Sequence, residues 1–216
     1  MRMPERIVMD RRARGGNPLR GRLIFLATRN IHKFNEARRV LAEYGIATAM
    51  LRMGTLEVQS DDLEEVARFR ALNAVEKTGL PVIVEDAGLF VKALKGFPGP
   101  YSSYTYRTIG KNGILKLLED VENREAYFKS VIAYSSPEEP VRLFKGIVEG
   151  MISLKVRGSS GFGFDPIFIP LEGDGRTFGE MDVDEKNRLS HRSKALRRFA
   201  EWYKSRSEFS PPSSQQ

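Results

Sequence analysis

The sequence predicts an α/β protein built on a mixed central β-sheet flanked by helices. Three observations carry this. Short apolar runs alternate with helical spacings through the first half, two longer strands follow in the second, and an amphipathic helix closes the pattern. Residues 22–27 form the first run, continuous and apolar as in a buried strand. Thr28-Arg29-Asn30 breaks it, and Phe34, Ala37, Val40, Leu41 and Tyr44 then share one helical face up to the stop signal Gly45. Residues 46–51 read as a second strand. Asp61 and Asp62 are candidate caps for a helix that turns Leu63, Val66, Ala67, Ala74 and Val75 inward and ends near Thr78-Gly79. Residues 81–84 are another buried strand, ending at Glu85-Asp86, and the three strands are expected to be partly parallel. Residues 126–135 and 141–149 are longer strands joined by a turn over 135–140. Residues 152–156 and 167–169 add strand, and a last helix over 190–204 turns Ala195, Leu196, Phe199 and Trp202 inward. Such a sheet leaves a cleft between two lobes.

Composition narrows the function classes. The 216 residues are 41% hydrophobic and 29% charged, an ordinary globular balance. There is no cysteine, which excludes disulfides, a cysteine nucleophile, iron–sulfur clusters and thiolate zinc. With only His32 and His191, a multi-histidine metal site is not expected. No apolar run approaches the roughly 20 residues of a membrane helix, so a soluble cytoplasmic protein without membrane contact is expected. Net charge is +7, but residues 1–22 hold seven arginines against two acids and so supply +5 of it. The rest is nearly balanced. Residues 1–21 read as a basic, disordered arm, with a transit peptide or a nucleic-acid arm as the other readings; the arm lacks the apolar region of a secretory signal. Residues 22–204 form the folded domain and 205–216 a flexible polar tail.

Four polar segments sit at the edges of apolar runs. Thr28-Arg29-Asn30-Ile31-His32-Lys33 is a strand-to-helix turn, where free amides, a hydroxyl, a carboxamide and a lysine suit a phosphate. Helix capping by Thr28 or Asn30 explains it equally. Glu85-Asp86-Ala87-Gly88 places two carboxylates at a buried strand; they need a partner, and a hard divalent cation or a capping role would each serve. Gly161-Phe162-Gly163-Phe164-Asp165 alternates aromatics with glycine, suited to stacking a flat ring or to core packing at a bulge. Glu185-Lys186-Asn187-Arg188-Leu189-Ser190-His191-Arg192 is a polar cluster entering the last helix, either a solvated face with Ser190 as cap or a clamp for an anion. Together they hold the phosphate, metal, base and charge chemistry of a nucleoside triphosphate site.

These segments, with Gly96-Phe97-Pro98-Gly99-Pro100-Tyr101-Ser102 between them, occur in an order that closely resembles the inosine triphosphate pyrophosphatase family, also called XTP/dITP diphosphatases, in an archaeal form. The resemblance runs from about Leu23 to Trp202 and leaves out the basic arm. It implies an elongated protomer with two lobes, a homodimer, Mg²⁺ dependence, and cleavage of ITP, dITP and XTP to the monophosphate and pyrophosphate. It implies no nucleic-acid partner.

Position by position, the resemblance implies substrate contacts from Thr28, Arg29, Asn30, Ile31, His32, Lys33 and Ala87. It adds Phe162, Gly163, Phe164 and Asp165 at the base, Lys186 as a phosphate or base contact, and His191 and Arg192 as the closing clamp. Glu57, Glu85 and Asp86 are the implied metal ligands, and Asp86 and Lys33 the implied catalytic residues. Four positions depart from the pattern. Ala87 lacks a hydroxyl common in relatives, Phe164 lacks the polar tip of a tyrosine or tryptophan, Arg29 replaces a small residue, and Gly179 replaces an alanine.

Overall fold

The computed structural model describes residues 23–55 and 58–208. The expected arm, Arg22, Glu57 and residues 209–216 of the expected tail lie outside the described residues. The sheet has seven strands: β1 (Leu23–Ala27), β2 (Ala47–Leu51), β3 (Val82–Val91), β4 (Pro98–Gly99), β5 (Glu125–Ser136), β6 (Glu139–Ile152) and β7 (Phe168–Pro170). Its order is β2-β1-β3-β5-β6-β7, with β4 paired to β3. β1 runs parallel to β2 and β3, whereas β5, β6 and β7 add antiparallel, so the sheet is mixed as expected.

Helices α1 (Ile31–Ala42) and α2 (Leu63–Thr78) form the crossovers among the parallel strands. Asn30 caps α1, its side chain accepting from the amides of His32 and Lys33 at 2.9 and 3.1 Å. Asp62, and not Asp61, caps α2 by accepting from Glu64 N, and Gly79 ends that helix in the left-handed region at φ 63°. The closing helix α6 (His191–Glu208) reaches past the expected end at residue 204.

Strand alternation divides the cores. Ile83 and Ile132 face α1 and α6, packing with Val40, Leu41, Leu196 and Phe199. Val82, Val84, Val131 and Ala133 face α2, with Ala67, Ala71 and Ala74. Farther along the same strands, Leu89, Val91, Ala126 and Phe128 join a separate core with Ile114, Phe164, Phe168 and Phe178. Between the cores on the α6 face lies a polar waist of Glu85, Ala87 and Ser130. This corrects one expectation. The carboxylates do not stand at a strand end, because β3 continues through them for five more residues and feeds the second core.

Two other expectations give way. No strand covers residues 153–156; β6 ends at Ile152, where the Arg124 guanidinium takes the carbonyls of Ile152 and Ser153 at 2.8 and 2.9 Å in place of a neighbouring strand. The β5–β6 turn is tighter than expected, with only Pro137 and Glu138 between the strands. Helices α3 (Ser102–Thr108), α4 (Gly110–Leu117) and α5 (Val183–Leu189) were not foreseen; each is only two turns long, too short for an apolar period to stand out. No helix among the described residues is long and apolar enough to cross a membrane.

Candidate functional site

A cavity of about 440 Å³ opens over the polar waist. One wall is the first turn of α1, with Asn30, His32 and Lys33; the floor is Ala87 and Gly88 of β3 with Phe128 of β5. Phe162, Gly163, Phe164 and Asp165 form a second wall, His191 and Arg192 at the start of α6 a third, and Ser102, Ser103, Tyr106 and Arg107 of α3 the fourth. The volume suits a nucleotide-sized ligand.

Beneath the cavity runs an unbroken chain of opposite charges. Lys33 Nζ meets Glu85 Oε2 at 2.7 Å, and Glu85 Oε1 meets Arg192 Nε at 3.1 Å. Arg192 Nη1 pairs with Glu36, whose other oxygen takes Lys186 Nζ at 2.8 Å. Lys186 then holds Asp165 at 2.6 Å, and Asp165 accepts from the amide of Phe162 at 2.8 Å. Three cations and three carboxylates thus tie the α1 end of the cavity to its aromatic end. Ser130 Oγ adds a 2.7 Å hydrogen bond to Glu85.

These surroundings set the protonation states. Burial pushes the Glu85 carboxyl up, but Arg192, Lys33 and the hydrogen bonds from Lys33 and Ser130 outweigh it and hold the group well below the usual carboxylate range. Glu36 is likewise lowered, since Arg192 and Lys186 overcome its desolvation. His191 is driven well below its ordinary value by burial and by neighbouring Arg192 and Lys186, so it is a neutral imidazole. Its ring lies flat on Phe128 at 4.5 Å, and its Nδ1 is buried without a hydrogen-bond partner.

Asp86 belongs to another environment. Successive strand residues point to opposite faces, so Asp86 turns to the α2 side while Glu85 turns to α6. Its Oδ1 is paired with Arg70 of α2, and Arg70 Nε donates to Thr55 Oγ1 at 2.7 Å. The Oδ2 atom is buried and makes no hydrogen bond. Desolvation raises the Asp86 pKa despite the opposing effect of Arg70.

A hard cation fits this arrangement by its chemistry. Among the described residues no group of three or more His, Asp or Glu gathers into an all-protein cage. Two buried carboxylate oxygens without a hydrogen bond among the described residues, Asp86 Oδ2 and Glu85 Oε2, are instead the sparse kind of ligation that magnesium uses when phosphate oxygens complete its shell. Of the two, Glu85 Oε2 is ion-paired with Lys33 at 2.7 Å, and Glu85 Oε1 takes Ser130 and Arg192.

Several sequence-predicted residues gather here, though not always in the expected posture. The His32 and Lys33 amides at the α1 start are taken by the Asn30 side chain, and the backbone N–H of Asn30 donates to Thr28 Oγ1 at 3.1 Å. Arg29 and Ile31 are exposed and do not line the cavity. Phe162 has His32 stacked on it at 5.4 Å and the cationic ends of Lys186 and Arg192 at 4.8 and 5.2 Å. Phe164 is buried in the second core with Tyr106 edge-on at 5.5 Å. Lys186 does not reach the cavity surface, being wholly engaged by Glu36 and Asp165 beneath it. Ser190 caps α6 as foreseen, accepting from Ser193 N at 3.2 Å.

Sequence reading missed Glu36, Arg70 and the four residues of α3. Glu36 had a signal: it falls among Ala37, Val40 and Leu41 on the inward face of α1, where a charge needs a partner.

Comparison with known proteins identifies the family and the fold. The model of the Ham1 family matches residues 24–202. The chain is 54% identical over 181 residues to the dITP/XTP pyrophosphatase of Methanopyrus kandleri, covering 84% of this chain and 96% of that one. It is 52% identical over 194 residues to the protein of the same name from Hyperthermus butylicus, covering 90% and 100%. Among solved structures, a HAM1 protein from Coxiella burnetii superposes with TM-score 0.74 at 31% identity, covering 85% of this chain and 99% of that one. A nucleoside-triphosphatase, dITP/XTP pyrophosphatase, from Mycobacterium abscessus gives 0.65 at 32%, covering 82% and 98%.

Proposed function

The chain belongs to the Ham1 family, and from that premise we propose how its cleft works as a nucleoside-triphosphate pyrophosphatase for deaminated purine nucleotides. The observation that carries the reading is the single buried charge chain joining Lys33, at a helix start, to the aromatic and arginine walls. One ligand with phosphates at one end and a flat polar ring at the other spans that distance.

Water attacks the α-phosphorus of ITP, dITP or XTP, the bond to the α–β bridging oxygen breaks, and pyrophosphate leaves with that oxygen. Lys33 binds the phosphates, its ammonium aimed by Glu85 Oε2. Asp86 turns to the α2 face and does not line the cavity, but it adjoins Glu85 in β3 and feels the Lys33 ammonium. It is the group assigned to accept the proton of the attacking water; its raised pKa makes it a stronger base than an ordinary carboxylate. Glu85 and Asp86, with Glu57 as the third candidate, would hold Mg²⁺, which when bound supplies electrostatic stabilisation of phosphate charge.

The base is read by donors. Arg192 hydrogen-bonds Glu36 through Nη1 and forms an ion pair with Glu85 at 3.1 Å from Nε, which restrains its guanidinium and leaves Nη2 uncommitted to a carboxylate. A fixed donor donates to the 6-oxo group of hypoxanthine or xanthine and opposes the 6-amino group of adenine. Sites built around a specific hydrogen bond discriminate by about 10⁴-fold. Guanine shares the 6-oxo group and should be cleaved weakly. Phe162 supplies a face for any base, and the base must compete with His32 for it.

The test is release of pyrophosphate against phosphate from ITP, dITP, XTP, GTP and ATP, with and without magnesium. Pyrophosphate from the first three, magnesium-dependent, is expected; phosphate release, or ATP cleaved as fast as ITP, would refute the reading. The homodimer and the cytoplasmic location belong to the same proposal, and light scattering on the purified chain tests the first.

A further inference from the structure

Helix α3 forms the wall of the cavity opposite α1, and no role follows for it from the chemistry above. Its start is fixed to the floor: Ser102 Oγ accepts from Leu89 N at 2.8 Å and donates to Gly99 O at 2.7 Å. Farther along, Tyr106 stands edge-on to Phe164 at 5.5 Å. Ser103, Tyr106 and Arg107 are spaced three and four apart, so they share the helix face that looks into the cavity.

Charge accounting singles out one of them. Lys33 and Arg192, the other Lys or Arg side chains in the cavity wall, are each held by carboxylates, and so is Lys186 beneath it. The chain they form is balanced and offers little net attraction to a polyanion. Arg107 is exposed, lines the same cavity, and makes no hydrogen bond, ion pair or ring contact among the described residues. A nucleoside triphosphate brings several negative charges into this space. An uncommitted guanidinium on an anchored helix is the group best suited to meet them, because its planar fork matches two phosphate oxygens at once.

Building on the proposed function, we propose that Arg107 is a phosphate-binding residue, gripping the polyphosphate tail from the α3 side of the cleft while Lys33 holds it from the α1 side. The anchoring of α3 through Ser102 keeps the backbone under Arg107 in place, so only the side chain must be ordered when the ligand arrives. Arg107 thus supplies binding to the phosphates and none to the base.

The test uses the full chain with magnesium. In Arg107→Ala, the KM for ITP and the dissociation constant of inorganic pyrophosphate should both rise about 10-fold, the low end for a charge-assisted pair because the site is exposed. Inosine, which carries no phosphate, should compete as it does against the wild type. Arg107→Lys should recover part of the lost affinity through its charge, and Arg107→Gln should recover none. Unchanged pyrophosphate affinity in Arg107→Ala, or an equal loss for inosine, overturns the assignment. The pyrophosphate measurement needs no turnover. Wild-type protein that binds pyrophosphate through Arg107 yet leaves ITP intact would therefore refute the proposed function while leaving the role of Arg107 standing.

Discussion

Replacing Glu36 by glutamine tests the charge chain at its centre. The side chain keeps its size and loses its charge, so Arg192 and Lys186, both buried, each lose one of two carboxylate partners. Removing one member of a buried pair costs about 3–5 kcal/mol when a charge is left uncompensated. Here Glu85 still faces Arg192 and Asp165 still faces Lys186, and the amide oxygen still accepts one hydrogen bond, so about 3 kcal/mol is the better figure. For a domain of this size that is a Tm lower by roughly 6–12 °C. The pH dependence gives the sharper readout. Glu36 titrates below its ordinary 4.5 in the folded protein, because Arg192 and Lys186 outweigh its desolvation. Its stabilisation is therefore fully present above that ordinary value and is lost as pH falls through the folded one. The gap between wild type and Glu36→Gln should be widest at neutral pH and narrow below about pH 4.5. Calorimetry at pH 7, 5 and 4 reads both quantities. A Tm change under about 2 °C at pH 7, or a gap that does not narrow in acid, would show that the chain contributes little to holding Arg192.

Three further outcomes are expected. Asp86→Asn should lower turnover by at least about 10²-fold with the fold retained, as for loss of a general base; a variant keeping more than roughly a tenth of the rate removes Asp86 from that role. Arg192→Ala should lose far more kcat/KM for ITP than for residual ATP cleavage, and equal losses would reduce Arg192 to a phosphate clamp. Gly146→Ala would set a methyl group on the backbone of α6 at His191 and Ala195, which no side-chain rotation relieves; the helix start should shift, costing about 1–3 kcal/mol and most of the base discrimination. Unaltered selectivity in a folded Gly146→Ala protein would show that the position of α6 does not set the reading of the base.

The sequence disclosed elements whose apolar spacing is long or continuous. Phe34 to Tyr44 spaced a helix, residues 82–84 a buried strand, and Ala195 to Trp202 the closing helix, each because its burial is regular enough to leave a period. What it hid was local or relational. The α3 helix has only Ser102 and Thr105 buried, so it leaves no apolar signature and its cavity residues went unread. Glu85 and Asp86 adjoin in sequence and so suggest a pair for one cation. Strand pleating separates them, and seeing that required knowing that β3 runs on to Val91. Arg70 stood in a helix with other charged residues, and nothing in its spacing announced that it would face Asp86.

The buried charge chain raises a question of cost. Six ionised groups removed from water are expensive, and matched apolar side chains would often stabilise such a core as well or better. The gain lies in geometry. Arg192, hydrogen-bonded to Glu36 and ion-paired with Glu85, has less room to swing than an arginine with a single partner. Lys186 does the same for Asp165, which in turn fixes the amide of Phe162 beneath its own ring. A loop with glycines at 161 and 163, both at positive φ, would otherwise wander. The cost of desolvation is met once, on folding, and the base then meets donors that need no further ordering. On this argument a mutant that replaced Glu36, Lys186 and Asp165 together by apolar residues could fold stably and still fail to tell ITP from ATP, because stability and the orientation of Arg192 rest on different consequences of the same ion pairs.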